Sequence, residues 1–175
     1  MQKKTIIIYS SVNGQTKKIC CHIKNILILN NHLVDVFSVN DLTQEITAFD
    51  KIIIASSIRY GKHNEEIEKL IKENSEFLNS KKTAFISVNL VARKAEKSKP
   101  DTNPYVIKFF DSIEWKPTLT TVFPGKLDYN LYLFRDRLII KLIMLITKGP
   151  TNSKTVIEYT NWTEVDEFAK KFAAI

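Results

Sequence analysis

The stretch Thr5-Ile6-Ile7-Ile8-Tyr9-Ser10-Ser11-Val12-Asn13-Gly14-Gln15-Thr16 decides the fold. Its first half is short, largely β-branched, entered from Lys3 and Lys4 and closed by serines, which predicts a buried parallel strand over Thr5–Tyr9. Its second half is polar and carries one of only four glycines in the chain. Beyond it Ile19, Ile23, Ile26 and Leu27 recur at helical spacing. Strand, glycine turn and helix in immediate succession make a ligand-binding arrangement. Gly14 lets the turn expose backbone N–H groups, Ser11, Asn13 and Thr16 add side-chain donors, and the following helix presents a partial positive charge. Together these would cradle a phosphate, although an ordinary polar turn has the same composition. The spacing is neither G-x-G-x-x-G nor G-x-x-x-x-G-K-[ST], so a dinucleotide fold and a P-loop nucleotidase are disfavoured.

Working outward, Asn30 and Asn31 close the first helix and Leu33–Phe37 reads as a second strand. Lys51–Ala55 is the next strand, Ser56–Gly61 a loop, and Asn64–Leu78 a charged helix with Ile67, Leu70, Ile71 and Phe77 on its apolar face. Thr83–Val88 is another strand, with a polar loop around Asn89. Such alternation predicts an α/β fold, a parallel sheet with helices on both faces and ligands beyond the carboxyl ends of its strands. The last third is less regular. It reads as a helix over Asp101–Ser112, a strand over Leu119–Phe123, a strongly apolar helix over Leu131–Thr147, a short strand over Thr155–Tyr159, and a final helix capped by Asn161 or Thr160.

The 175 residues fit a single domain spanning 1–175, with an insertion at about 126–150. A composition of 44% hydrophobic and 26% charged residues suits a soluble globular protein. The net charge of +7 suggests an anionic partner without choosing among nucleic acid, a membrane surface and an acidic small molecule. No nucleic-acid motif is present and the basic residues are spread along the chain, so no nucleic-acid partner is expected. Adjacent Cys20 and Cys21 have no metal spacing and rarely bridge, which predicts reduced thiols in a cytoplasmic protein and no metal site. No apolar run is long enough for a signal-peptide core or a membrane span.

At Ser11, Asn13, Gly14 and Thr16 the sequence resembles the flavodoxins, whose phosphate loop has the form [ST]-x-[TN]-G-x-T. Ser56-Ser57-Ile58-Arg59-Tyr60-Gly61, Ser87-Val88-Asn89-Leu90-Val91-Ala92-Arg93-Lys94, Ile140-Lys141-Leu142-Ile143-Met144 and Glu158-Tyr159-Thr160-Asn161-Trp162 narrow the likeness. They resemble the bacterial menaquinone-dependent protoporphyrinogen IX dehydrogenases, over nearly the whole chain. The resemblance implies a flavodoxin-like five-stranded parallel sheet of order 2-1-3-4-5, with an extra amphipathic helical insertion near the last strand. It implies FMN, protoporphyrinogen IX as substrate in haem biosynthesis, menaquinone or ubiquinone as acceptor, and a peripheral place on the cytoplasmic face of the bacterial inner membrane; it leaves a homo-oligomer open. Carried over by position, Ser10, Ser11, Val12, Asn13, Gly14, Gln15 and Thr16 would hold the FMN phosphate. Ser57, Ile58, Arg59, Tyr60 and Gly61, with Ser87, Val88, Asn89, Leu90, Val91 and Arg93, would form the flavin loops. The Lys148-Gly149-Pro150-Thr151 loop is less glycine-rich than this family leads one to expect.

The reaction belongs to the flavin, and no His/Asp or Cys/His constellation suggests a catalytic base. Tyr60 could stack on the flavin or cap its loop, and Arg59 could hold a substrate propionate or pair with a surface acid. Arg93, Lys94 and Lys97 are further substrate-binding candidates that a solvated basic face would equally explain. His63 is the one histidine placed for proton transfer, with a plain loop histidine as the alternative, while His22 falls on the first helix and His32 in a turn. Leu131, Phe134, Leu138, Ile139, Leu142, Ile143 and Ile146, among flanking Arg and Lys, suit a helix lying on an anionic membrane surface or one packed on the core. Rival readings are an NAD(P)H:quinone reductase on the same fold, which lacks a nicotinamide signature here, and an FMN electron carrier, whose usual acidity this chain does not share.

Overall fold

Residues 2–175 are described by the computed structural model. The isoleucine run lies in β1 (Lys3–Ser10), where Ile6, Ile7 and Ile8 are fully buried. A strand apolar on both sides must be covered on both sides, and β1 is accordingly central. It pairs in parallel with β2 (His32–Ser38) and with β3 (Lys51–Ser57). β4 (Lys82–Val88) and β5 (Leu119–Phe123) extend the sheet, giving the order β2-β1-β3-β4-β5, all parallel. This is the implied 2-1-3-4-5 sheet. The connection from β1 runs to β2 on one side and that from β3 to β4 on the other, and such a switch point opens a crevice at the carboxyl ends of β1 and β3.

Alternation of side chains divides the core into two layers. Ile7 and Ile53 face α1 (Gln15–Leu29) and α6 (Trp162–Ala174), against Ile19, Ile23, Leu27, Val165 and Phe172. Ile6, Ile8, Ile52 and Ile54 face α2 (Glu65–Glu73), α3 (Ser75–Ser80) and α4 (Pro104–Phe110), against Ile67, Ile71, Leu78 and Phe109. Buried Lys51 donates to the carbonyls of Phe172 and Ala173, placing a cation at the carboxyl end of α6.

The structure departs from the expected elements at several points. The helix expected over Asn64–Leu78 is two helices, because the Asn74 amide bonds the Leu70 carbonyl and ends α2. The helix expected from Asp101 begins at Pro104: proline disfavours helical backbone in the residue before it, and Asn103 serves as the cap. His32 lies not in a turn but at the start of β2, buried, with its Nδ1 against the Thr5 hydroxyl at 2.8 Å. The short strand β7 (Val156–Glu158) stands outside the main sheet and pairs antiparallel with β6 (Lys126–Asp128), which the sequence reading did not anticipate. Between them α5 (Phe134–Ile146) is the extra helix. Cys20 is buried and Cys21 exposed, both as thiols.

Candidate functional site

The turn after β1 has a geometry that could receive an anion. Gly14 caps α1 with φ of 84°, a left-handed conformation, and no side chain caps the helix. The first amides of α1 therefore lack helical partners. Among the described residues, three buried side-chain polar atoms have no hydrogen-bond partner, and two of them, Ser11 Oγ and Thr16 Oγ1, are in this turn. A buried hydroxyl without a partner costs about 1–3 kcal/mol, so the turn carries a cost that an oxyanion would relieve. A phosphate fits these residues: free amides, two unpaired hydroxyls and the positive end of a helix converge. Gln15 looks elsewhere, donating to Thr160 Oγ1 at 2.9 Å, and Thr160 donates in turn to the Pro124 carbonyl, which ties the turn to the base of α6.

The turn opens into a cavity of about 490 Å³, within the range of small-molecule sites. The second wall follows β3. Arg59-Tyr60-Gly61-Lys62 is a two-residue reverse turn closed by Arg59 N–H to Lys62 O at 2.9 Å and Lys62 N–H to Arg59 O at 3.1 Å. Both central residues have positive φ, 50° at Tyr60 and 78° at Gly61, the signature of a type I′ turn. Glycine takes this conformation freely, whereas Tyr60 takes it at a cost, and strain of this kind gathers at ligand sites. The third wall is the segment after β4. Asn89 holds it by accepting from Ala92 N–H and Asn103 Nδ2, and Leu90 and Val91 face the cavity. The roof is α5, through Asp136, Ile139, Ile140, Ile143 and Met144.

Most residues expected at the cofactor site line this cavity: Ser11, Val12, Asn13, Gln15, Thr16, Ser57, Ile58, Arg59, Tyr60, Gly61, Val88, Asn89, Leu90 and Val91. Ser10 and Ser87 are buried behind it, in register with Ser56 from either side. Arg93 is turned away, with Nη1 on the Leu90 carbonyl and Nη2 on Thr147 Oγ1, so it staples the third wall to the end of α5. Arg93 and Lys94 line a separate shallow depression with Lys148, and Lys97 lines neither. His63 is packed beneath the site, Nε2 against Ser87 Oγ at 2.9 Å and its ring against Phe85 and Phe109. Burial there pushes its pKa down to about 4.

Sequence reasoning missed Tyr105, Gly125, Lys126, Tyr132, Asp136, Ile140 and Met144, which also line the cavity. The most informative of these is Asp136. Its Oδ2 accepts from Arg59 Nη2 and its Oδ1 from the Tyr60 hydroxyl, both at 2.5 Å. It is the sole acid in the apolar segment 131–148, a pattern that signals a buried partner for a cation as readily as an interrupted membrane stretch. The seven apolar residues singled out in that segment are all exposed, though Ile139 and Ile143 also reach the cavity.

Residues 6–154 match the family model described as a flavodoxin domain. Protoporphyrinogen IX dehydrogenase [quinone] of Escherichia coli (strain K12) is 37% identical over 171 residues, 97% of this chain and 94% of that protein. The protein of the same name from Leishmania major is 37% identical over 174 residues, 98% of this chain and 75% of that protein. Among solved structures, the Streptococcus pneumonia TIGR4 flavodoxin superposes with a TM-score of 0.57 at 15% identity, covering 98% of both chains.

Proposed function

The chain belongs to the flavodoxin-domain family, within the protoporphyrinogen IX dehydrogenase [quinone] branch of its oxidoreductases, and from that premise we propose that it oxidises protoporphyrinogen IX to protoporphyrin IX on bound FMN, with menaquinone or another respiratory quinone as acceptor. The observation that carries the reading is the pair of unpaired hydroxyls, Ser11 and Thr16, at one end of a cavity roofed by apolar α5. Ser11 to Thr16 would hold the FMN phosphate, and the turn at Arg59 to Gly61 with Leu90 and Val91 would flank its ring. Bound flavin would supply the two-electron chemistry. The chain supplies the rest: Ile139, Ile140, Ile143 and Met144 give the cavity an apolar roof, and the two loops would fix the approach of the substrate.

Gly14→Val tests the phosphate turn. Beyond its chain neighbours no atom lies within 4 Å of the position a Cβ would take, so the added Cβ itself meets open space. Its cost is backbone strain at φ of 84°, roughly 1–2 kcal/mol. FMN affinity should fall about tenfold, read by flavin fluorescence, and unchanged affinity would remove the turn from the site.

A quinone partitions into lipid, and the reading extends to a peripheral place on an anionic membrane, at the cytoplasmic face of the bacterial inner membrane. Among the described residues no helix is long and apolar enough to cross a bilayer. The outer side of α5 nevertheless exposes Leu133, Phe134, Leu138, Leu142, Leu145 and Ile146, with Arg135 and Lys148 exposed at its ends. Leu138→Ser with Leu142→Ser spares the cavity lining. Losing the half-burial of two leucines should weaken binding to vesicles rich in phosphatidylglycerol about tenfold. Equal binding before and after would withdraw the membrane contact.

The activity itself is tested without oxygen, on the FMN-loaded protein. Bleaching of flavin absorbance by protoporphyrinogen IX, reversed by a menaquinone analogue, is expected. Bleaching by NADPH alone would favour a quinone reductase, and bleaching by neither an electron carrier.

A further inference from the structure

We propose that Arg59 is the residue that recognises the carboxylate of the acidic substrate, and that Asp136 is an internal stand-in which occupies Arg59 until that carboxylate displaces it. The proposal rests on the porphyrinogen reading above and names the residues that select for the propionate groups.

Arg59 is rigid at its root and accessible at its tip. Its backbone is clamped by both hydrogen bonds to Lys62, and its side chain remains 41% exposed while lining the cavity. Asp136 is the reverse, with a side chain only 10% exposed on the roof helix. A carboxylate in such a place needs partners, and it has two: Arg59 holds one oxygen and the Tyr60 hydroxyl the other.

The geometry of the pair is incomplete in a useful way. Asp136 meets Arg59 through one guanidinium nitrogen, whereas a guanidinium can present a two-pronged fork to a carboxylate. A substrate carboxylate entering from the solvent side can take that fork. Asp136 would then keep the Tyr60 hydroxyl and not be left bare. A neutral ligand offers no such exchange, so a quinone in the same cavity would leave Arg59 on Asp136. One latch would thus distinguish the acidic substrate from the neutral acceptor in a shared site. The exchange would also loosen the tie between α5 and the Arg59 turn only while substrate is bound.

The test is equilibrium binding of protoporphyrin IX and of its dimethyl ester to FMN-loaded protein, in detergent that keeps both dispersed, read by quenching of porphyrin fluorescence. Wild type should prefer the acid. Asp136→Asn, which keeps the shape and removes the competing charge, should tighten the acid about fivefold, the scale of a partly exposed ion pair, and leave the ester unchanged. Arg59→Gln should abolish the acid preference with Asp or Asn at position 136. Asp136→Asn that moves acid and ester alike, or neither, overturns the exchange, as does an acid preference that survives Arg59→Gln. If Asn at 136 costs the flavin, shown by its absorbance, the Arg59→Gln comparison decides alone. Binding of neither porphyrin to wild type would overturn the substrate reading and the exchange together, whereas equal binding of both overturns the exchange only.

Discussion

Ser11→Ala combined with Thr16→Val is expected to make the FMN-free protein more stable while weakening FMN binding at least a hundredfold. The two effects have one cause. Both hydroxyls are buried without a partner from the protein itself, and without FMN each forfeits hydrogen bonds to water, at about 1–3 kcal/mol. Val replaces Thr16, only 1% exposed, with nearly the same shape, so deleting the hydroxyl opens no cavity. The melting temperature without FMN should rise by several degrees. With FMN the sign reverses. A hydrogen bond to a charged oxygen contributes about 1.5–3 kcal/mol, and losing two of them corresponds to a Kd raised by roughly a hundredfold to ten-thousandfold. Melting curves of the FMN-free protein and flavin-fluorescence titrations measure the two halves separately. A variant that melts lower without FMN, or binds FMN as wild type does, would show that these hydroxyls only pack the turn.

Where the information was local, the sequence disclosed it. The isoleucine run, the serines that stop it and the glycine before the helix lie within twelve residues, and each restricts the same few dihedral angles. The strand at 51–55 is legible for a related reason, since a strand covered on both faces reads as a near-continuous apolar run, and those at 83–88 and 119–123 are legible as short runs rich in β-branched and aromatic residues. Local patterns do not reveal what meets across the chain. Arg59 and Asp136 are 77 residues apart, and nothing near either names the other. β6 is three residues long and exists because β7 pairs with it, so no periodicity could have marked it. Arg93 shows the opposite failure. Its position in a loop of the right family pattern suggested ligand contact, but Thr147 lies 54 residues away and claims its guanidinium.

Histidine 63 brings the local and the long-range readings into conflict, and a pH experiment separates them. From its place after the second loop it was a candidate proton acceptor; in the fold it is 6% exposed, against Phe85, Phe109 and Ser87. Burial lowers its pKa from about 6.5 in the unfolded chain to about 4. The folded state therefore favours the neutral ring, and its contribution to stability is complete above pH 6.5. It is lost as pH falls from 6.5 to about 4, at about 1.4 kcal/mol per unit, some 3 kcal/mol in all. Urea denaturation at pH 7 and pH 4.5 should show wild type losing roughly 2–3 kcal/mol more than His63→Gln between the two. Gln can still reach Ser87 and does not titrate. His32, whose pKa burial also lowers, adds a decline of the same sign to both proteins and cancels in the comparison. Parallel declines in the two proteins would mean that His63 is charged in the fold and exposed to water. A ring that titrates near pH 4 and is absent from the cavity wall is out of reach of substrate and too weak a base to take its proton. The same variant should therefore keep wild-type turnover at pH 7, measured on the FMN-loaded protein, and a large loss of kcat there would return His63 to the chemistry.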